Sequence, residues 1–87
     1  MTVYMVERDL KGIAMDDLAA AQKAAISKAE QMRGEGADVR YIRTTFAPED
    51  GRCMCLFEGA SEAEVKRLND EAGLPYHRIV PAMDLTP

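Results

Sequence analysis

The stretch Val39-Arg40-Tyr41-Ile42-Arg43-Thr44-Thr45-Phe46-Ala47-Pro48-Glu49-Asp50-Gly51-Arg52-Cys53-Met54-Cys55-Leu56-Phe57-Glu58 decides the fold. Val39 to Phe46 is β-branched and aromatic, which suits a pleated, half-buried strand. Pro48-Glu49-Asp50-Gly51 is turn chemistry, with Asp-Gly the usual hairpin signal. Arg52 to Glu58 then returns as a second strand, antiparallel to the first. Working outward, Ser61-Glu62-Ala63-Glu64 has the form of a capping box, in which hydroxyl and carboxylate satisfy each other's exposed backbone donors. The helix it opens runs to Ala72 with Val65, Leu68 and Ala72 inward. Gly73-Leu74-Pro75 closes it, Leu74 being placed for the apolar contact of a Schellman ending. Tyr76 to about Met83 reads as a further strand, and Pro81, lacking a ladder donor, means that it ends or lies on an edge there.

On the N-terminal side, Val3 to Asp9 alternates, with Val3, Met5 and Glu7 on one side and Tyr4, Val6 and Arg8 on the other. Gly12 and the Asp16-Asp17 pair lead into a helix from about 16 to 33. Leu18, Ala21, Ala25, Ala29 and Met32 form its apolar stripe, with Ile26 at the margin. The aspartates favour its first turn and Arg33 its last, and Gly34 and Gly36 end it. The order is β-α-β-β-α-β over a single domain, 1–87. In so short a chain both helices must cover one sheet face. The expected fold is an α+β, ferredoxin-like sandwich with an antiparallel sheet.

Composition narrows the function. Eleven Lys plus Arg against 15 Asp plus Glu give a net charge of −4 in 87 residues. A phosphate-backbone binder needs a net basic surface, so no nucleic-acid partner is expected. No apolar run approaches the roughly 18 residues that span a bilayer, so no membrane partner is expected either. Met1 to Arg8 carries charge where a signal peptide needs its apolar stretch, which points to the cytoplasm. The only cysteines, Cys53 and Cys55, would stand roughly 6.5–7 Å apart on one strand face, at the limit of disulfide geometry. Reduced thiols in a reducing compartment are the better reading.

Two helices leave one sheet face open. The alternation is read with Val6, Ile42, Met54 and Leu56 beneath the helices. Met5, Glu7, Tyr41, Arg43, Cys53, Cys55 and Phe57 then fall on the other face. That set is too apolar to stay solvated, so a homodimer pairing two sheets face to face is expected. Glu7, Tyr41, Arg43 and Cys55 would line the cleft between the copies, with Glu7 and Arg43 able to pair on adjacent strands. A Glu7 desolvated there would have a raised pKa and could act as a base.

Cys53 and Cys55 are soft-metal ligands that could chelate from one face, with His77, the only histidine, and Glu7 as further donors. The competing reading makes both cysteines small buried apolar groups and His77 a plain surface residue. A Cys-x-Cys alone is a weak signal. The chain has no glycine-rich phosphate loop, Ser-His-Asp arrangement or dinucleotide fingerprint, and no catalytic residue is assigned.

Met5-Val6-Glu7-Arg8, Val39-Arg40-Tyr41-Ile42-Arg43, Cys55-Leu56-Phe57-Glu58 with Ser61-Glu62, Ala72-Gly73-Leu74-Pro75 and Arg78-Ile79-Val80 occur in that order. Together they resemble a family of short bacterial proteins classed as a domain of unknown function, typified by a nickel-binding, ferredoxin-like dimer. The resemblance runs from about Val3 to Val80. It implies a ferredoxin-like homodimer and sequestration of nickel or another divalent transition metal. The chain departs from that pattern at Leu68, where many relatives carry histidine, and in having Cys53 beside Cys55. A thiol pair would favour softer ions. The first reading is thus a non-enzymatic, dimeric metal-binding protein. Its alternative is a dimeric α+β-barrel enzyme or binding module that holds a small organic molecule in the sheet-face cleft.

Overall fold

The computed structural model describes residues 1–87. Strand β1 (Thr2–Asp9) leads to helix α1 (Met15–Gly34), the hairpin strands β2 (Val39–Ala47) and β3 (Arg52–Gly59), helix α2 (Glu62–Glu71) and strand β4 (Arg78–Ala82). The sheet order is β2-β3-β1-β4, and every neighbouring pair is antiparallel. This is the β-α-β-β-α-β sandwich that the periodicity predicts.

Local chemistry sets the element ends. Ser61 Oγ accepts the Glu64 N–H at 3.2 Å, so the serine half of the expected capping box forms, while the Glu64 carboxylate makes no bond back to Ser61. At the other end of α2, Leu74 N–H bonds to Asn69 C=O at 3.0 Å and Gly73 N–H to Asp70 C=O at 3.1 Å. That pair of bonds is the Schellman ending, and it requires the positive φ of 71° at Gly73. Gly51 closes the β2–β3 turn at φ 77°. Its carbonyl accepts the Leu10 N–H at 2.8 Å, and a Cβ there would collide with the Lys11 backbone.

One core joins the helices to a single face of the sheet. Ala25, Ala29 and Met32 of α1 and Val65 and Leu68 of α2 pack with Tyr4, Val6, Val39, Cys53, Cys55 and Phe57. The face assignment expected from the sequence is therefore corrected for β3 and for part of β2. Residues directly opposite in an antiparallel ladder share a face. Tyr4 stands opposite Phe57, Val6 opposite Cys55 and Arg8 opposite Cys53, so the cysteines and Phe57 lie under the helices. Met54 and Leu56 occupy the open face instead. In β2 the register shifts between Tyr41 and Arg43. This bulge leaves Ile42 as the extra residue and brings Tyr41 to the helix face, edge-on to Phe57 at 5.6 Å. Arg43 stays on the open face, opposite Leu56.

The physical reason is that β3 is apolar on both sides. Cys53, Cys55 and Phe57 alternate with Met54 and Leu56, so hydrophobicity alone gives no phase. A one-residue slip exchanges the faces.

Candidate functional site

On the open face, β1 contributes Val3, Met5 and Glu7. Met5 pairs with Leu56 on one side and Val80 on the other, and Glu7 pairs with Met54 and Arg78. Val3, Met5, Met54, Leu56 and Val80 are half-buried with no layer above them. Beyond β4, Met83 and Leu85 are 79% and 82% exposed. Charges of both signs surround this apolar strip. The Arg78 guanidinium donates from Nε to Glu7 Oε2 at 2.5 Å, and Arg43 donates to Asp84 Oδ2 at 2.9 Å. The expected Glu7–Arg43 pair is corrected, because β3 lies between β1 and β2 and the two residues are not on neighbouring strands. His77 is exposed immediately before β4, and its backbone N–H donates to the Glu7 carbonyl at 2.9 Å.

The thiols sit on the opposite side of the sheet. Cys53 and Cys55 are free and only 2% and 5% exposed. Burial, with the neighbouring Cys55, pushes the Cys53 thiol up from its ordinary 9.0 to about 11, against the opposing pull of the Arg8 guanidinium. Cys55 Sγ is 3.1 Å from Thr44 Oγ1, which is 2.6 Å from the Tyr41 hydroxyl. That hydroxyl accepts from Gln22 Nε2 at 2.9 Å, so a hydrogen-bonded chain links an exposed α1 side chain to a buried thiol.

Between α1 and the sheet lies a cavity of about 140 Å³. It exists because small residues face one another: Ala21 and Ala25 on α1 lie above Thr44, Cys53 and Cys55. Leu10, Leu18, Phe46 and Leu74 complete its apolar wall, and Arg8 and Gln22 add polar groups. Arg8 is 4% exposed. Its Nη1 donates to the Pro75 carbonyl at 3.2 Å, and no carboxylate lies within ion-pair distance of its guanidinium.

The residues expected to form one site are thus divided between the two faces. Glu7, Arg43 and the exposed His77 belong to the open side or its margin, whereas Tyr41, Cys53 and Cys55 belong to the helix side. Nowhere do three His, Cys, Asp or Glu side chains converge in a way that could hold a metal ion. The thiol pair is also a poor cation ligand as it stands. A metal-bound thiolate must lose its proton, which Cys53 resists, and the Arg8 cation lies beside it. The sequence pattern does not mark Arg8, Thr44 and Gln22 as site residues. For Arg8 the signal is in the alternation, since it falls on the Tyr4 and Val6 side of β1, the side that is buried.

A family model described as "Nickel responsive protein SCO4226-like" matches residues 4–81. The crystal structure of SCO4226 from Streptomyces coelicolor A3(2) superposes with a TM-score of 0.80. The two chains are 24% identical, over 97% of this chain and 99% of the other. At that identity the likeness establishes the fold. No curated protein matches the chain.

Proposed function

Because this chain belongs to the SCO4226-like family of nickel-responsive proteins, we propose that it binds nickel, for sequestration or homeostasis, as a homodimer in the cytoplasm. The family match over residues 4–81 is the observation that carries this reading. Burial supports a narrower set of donors. Nickel accepts imidazole and carboxylate as well as thiolate ligands. His77 is open to solvent, and Glu7 adjoins it through the 2.9 Å backbone hydrogen bond, while both thiols are buried on the far side of the sheet. His77 is accordingly the principal ligand and Glu7 the second. Two donors do not complete a nickel coordination sphere, so water and a second copy of the chain supply the rest.

The open face supports the dimer. Val3, Met5, Met54, Leu56 and Val80 form a continuous apolar strip across β1, β3 and β4, with Glu7–Arg78 and Arg43–Asp84 beside it. A two-fold arrangement places the same strip on both copies and lets the flanking charges exchange partners at the rim. Free thiols accord with a reducing cytoplasm. No helix of the structure is long and apolar enough to cross a membrane.

Calorimetric titration with nickel tests the reading. The wild-type protein and a Cys53→Ala/Cys55→Ala double variant are expected to bind alike, while His77→Ala loses most of the affinity. Equal binding by wild type and His77→Ala would overturn the ligand assignment, and no binding by wild type would overturn the function.

A further inference from the structure

The cavity under α1 is unused by the nickel reading, which concerns the other side of the sheet. We infer that this cavity binds a small organic anion, a carboxylate with a short apolar body, whose charged group pairs with Arg8.

Arg8 poses the chemical question. An arginine that is only 4% exposed as a residue normally has an anionic partner, because a charge drawn out of water without one is disfavoured. No Asp or Glu reaches it. The neighbouring Cys53 thiol does not neutralise it either, since burial keeps that thiol protonated at neutral pH. One N–H donates to the Pro75 carbonyl and the Cys53 thiol takes up another, and the donors left over are available to a ligand. A carboxylate is the group whose two oxygens match that planar fork.

The remainder of the cavity sets the rest of the ligand. Its volume of about 140 Å³ suits a benzene-sized body. Leu18, Phe46 and Leu74 make the wall apolar, which disfavours phosphate, sulfate or chloride alone. Thr44 and Gln22 stand at the polar side, tied to Tyr41 by the hydrogen bonds at 2.6 and 2.9 Å. The site therefore selects a molecule with one charged end and a compact hydrocarbon end, such as a short-chain fatty acid or an aromatic acid.

Hexanoate, hexan-1-ol and inorganic phosphate are the probes, each titrated into the full chain and followed by backbone amide chemical shifts. Hexanoate is expected to bind at least about tenfold more tightly than hexan-1-ol or phosphate. Its shifts should centre on Thr44, Cys53 and Cys55 and spare Glu7 and His77. Arg8→Gln should weaken hexanoate by about tenfold or more while leaving hexan-1-ol unchanged. Ala21→Leu, which fills the cavity and keeps the guanidinium, should abolish both, and it decides the matter if Arg8→Gln does not fold. Equal affinity for hexanoate and hexan-1-ol, hexanoate binding unchanged in either variant, shifts centred elsewhere, or no hexanoate response at about 10 mM would each overturn the inference. Nickel affinity is unaffected by any of these outcomes, so the two readings stand or fall separately.

Discussion

Val6 of β1 stands directly opposite Cys55 of β3, and the two are 0% and 5% exposed beneath the helices. This pairing fixes the chemistry of both faces. With Val6 inward, Glu7 must point to the open side, and with Cys55 inward, Cys53 follows it. Carboxylate and thiols, which look like one donor set in the sequence, are separated by the thickness of the sheet.

The buried thiols make the first prediction. In the folded protein at neutral pH, both cysteines should react with a disulfide reagent far more slowly than in denaturant, because both sulfurs are buried and the Cys53 thiol is pushed up by that burial. The folded state holds the Cys53 proton up to about 11, whereas an ordinary thiol releases it near 9.0. Over that window the unfolded chain binds fewer protons, so stability must fall as pH rises from about 9 to about 11 and then level off. Denaturation across this range should show the fall, and Cys53→Ala should flatten it.

Gly51 makes the second. Replacing it by alanine adds both a left-handed strain and a collision with the Lys11 backbone. Gly12 has a similar φ of 85° with nothing near its missing Cβ. Urea denaturation should show Gly12→Ala costing about 1 kcal/mol and Gly51→Ala at least about 2 kcal/mol more. Equal costs would mean that the β2–β3 turn does not press on the segment after β1.

How much of this was legible in the sequence differs by level. The elements follow from local signals: the Asp50-Gly51 turn, the Ser61 cap and the Gly73 ending each act within a few residues, and all are formed. The phase of β3 did not follow, because Cys53, Cys55 and Phe57 compete with Met54 and Leu56 for the core and both sets are apolar. The Ile42 bulge is invisible for the same reason, since it depends on which partner each β2 residue meets. Arg8 could have been read from the Tyr4-Val6-Arg8 alternation. A charged residue in the buried phase is easily dismissed as the end of a strand, yet here it lies beside a cavity.

Leu56 provides the third prediction. It is on the open face, away from the core beneath the helices. Leu56→Asp should leave the fold intact by circular dichroism while shifting sedimentation from dimer to monomer. It should also weaken nickel binding, if the second copy completes the coordination. A monomeric wild-type protein would contradict this directly.

Arg78 provides the fourth. Its guanidinium occupies the Glu7 carboxylate. An exposed pair of this kind contributes only about 0–1 kcal/mol to stability, so Arg78→Gln should scarcely move the melting temperature. It should free Glu7 for the metal and tighten nickel binding by a few-fold, with no such gain in a Glu7→Gln/Arg78→Gln double variant.

The central claim is that nickel is held through His77 on the solvent-facing side and not by the thiols. Native mass spectrometry of the untagged protein with added nickel, compared between wild type, His77→Ala and the Cys53→Ala/Cys55→Ala variant, tests it most directly. The account predicts nickel-loaded dimers for wild type and the double cysteine variant, and bare protein for His77→Ala. Nickel retained by His77→Ala and lost with the cysteines would contradict it.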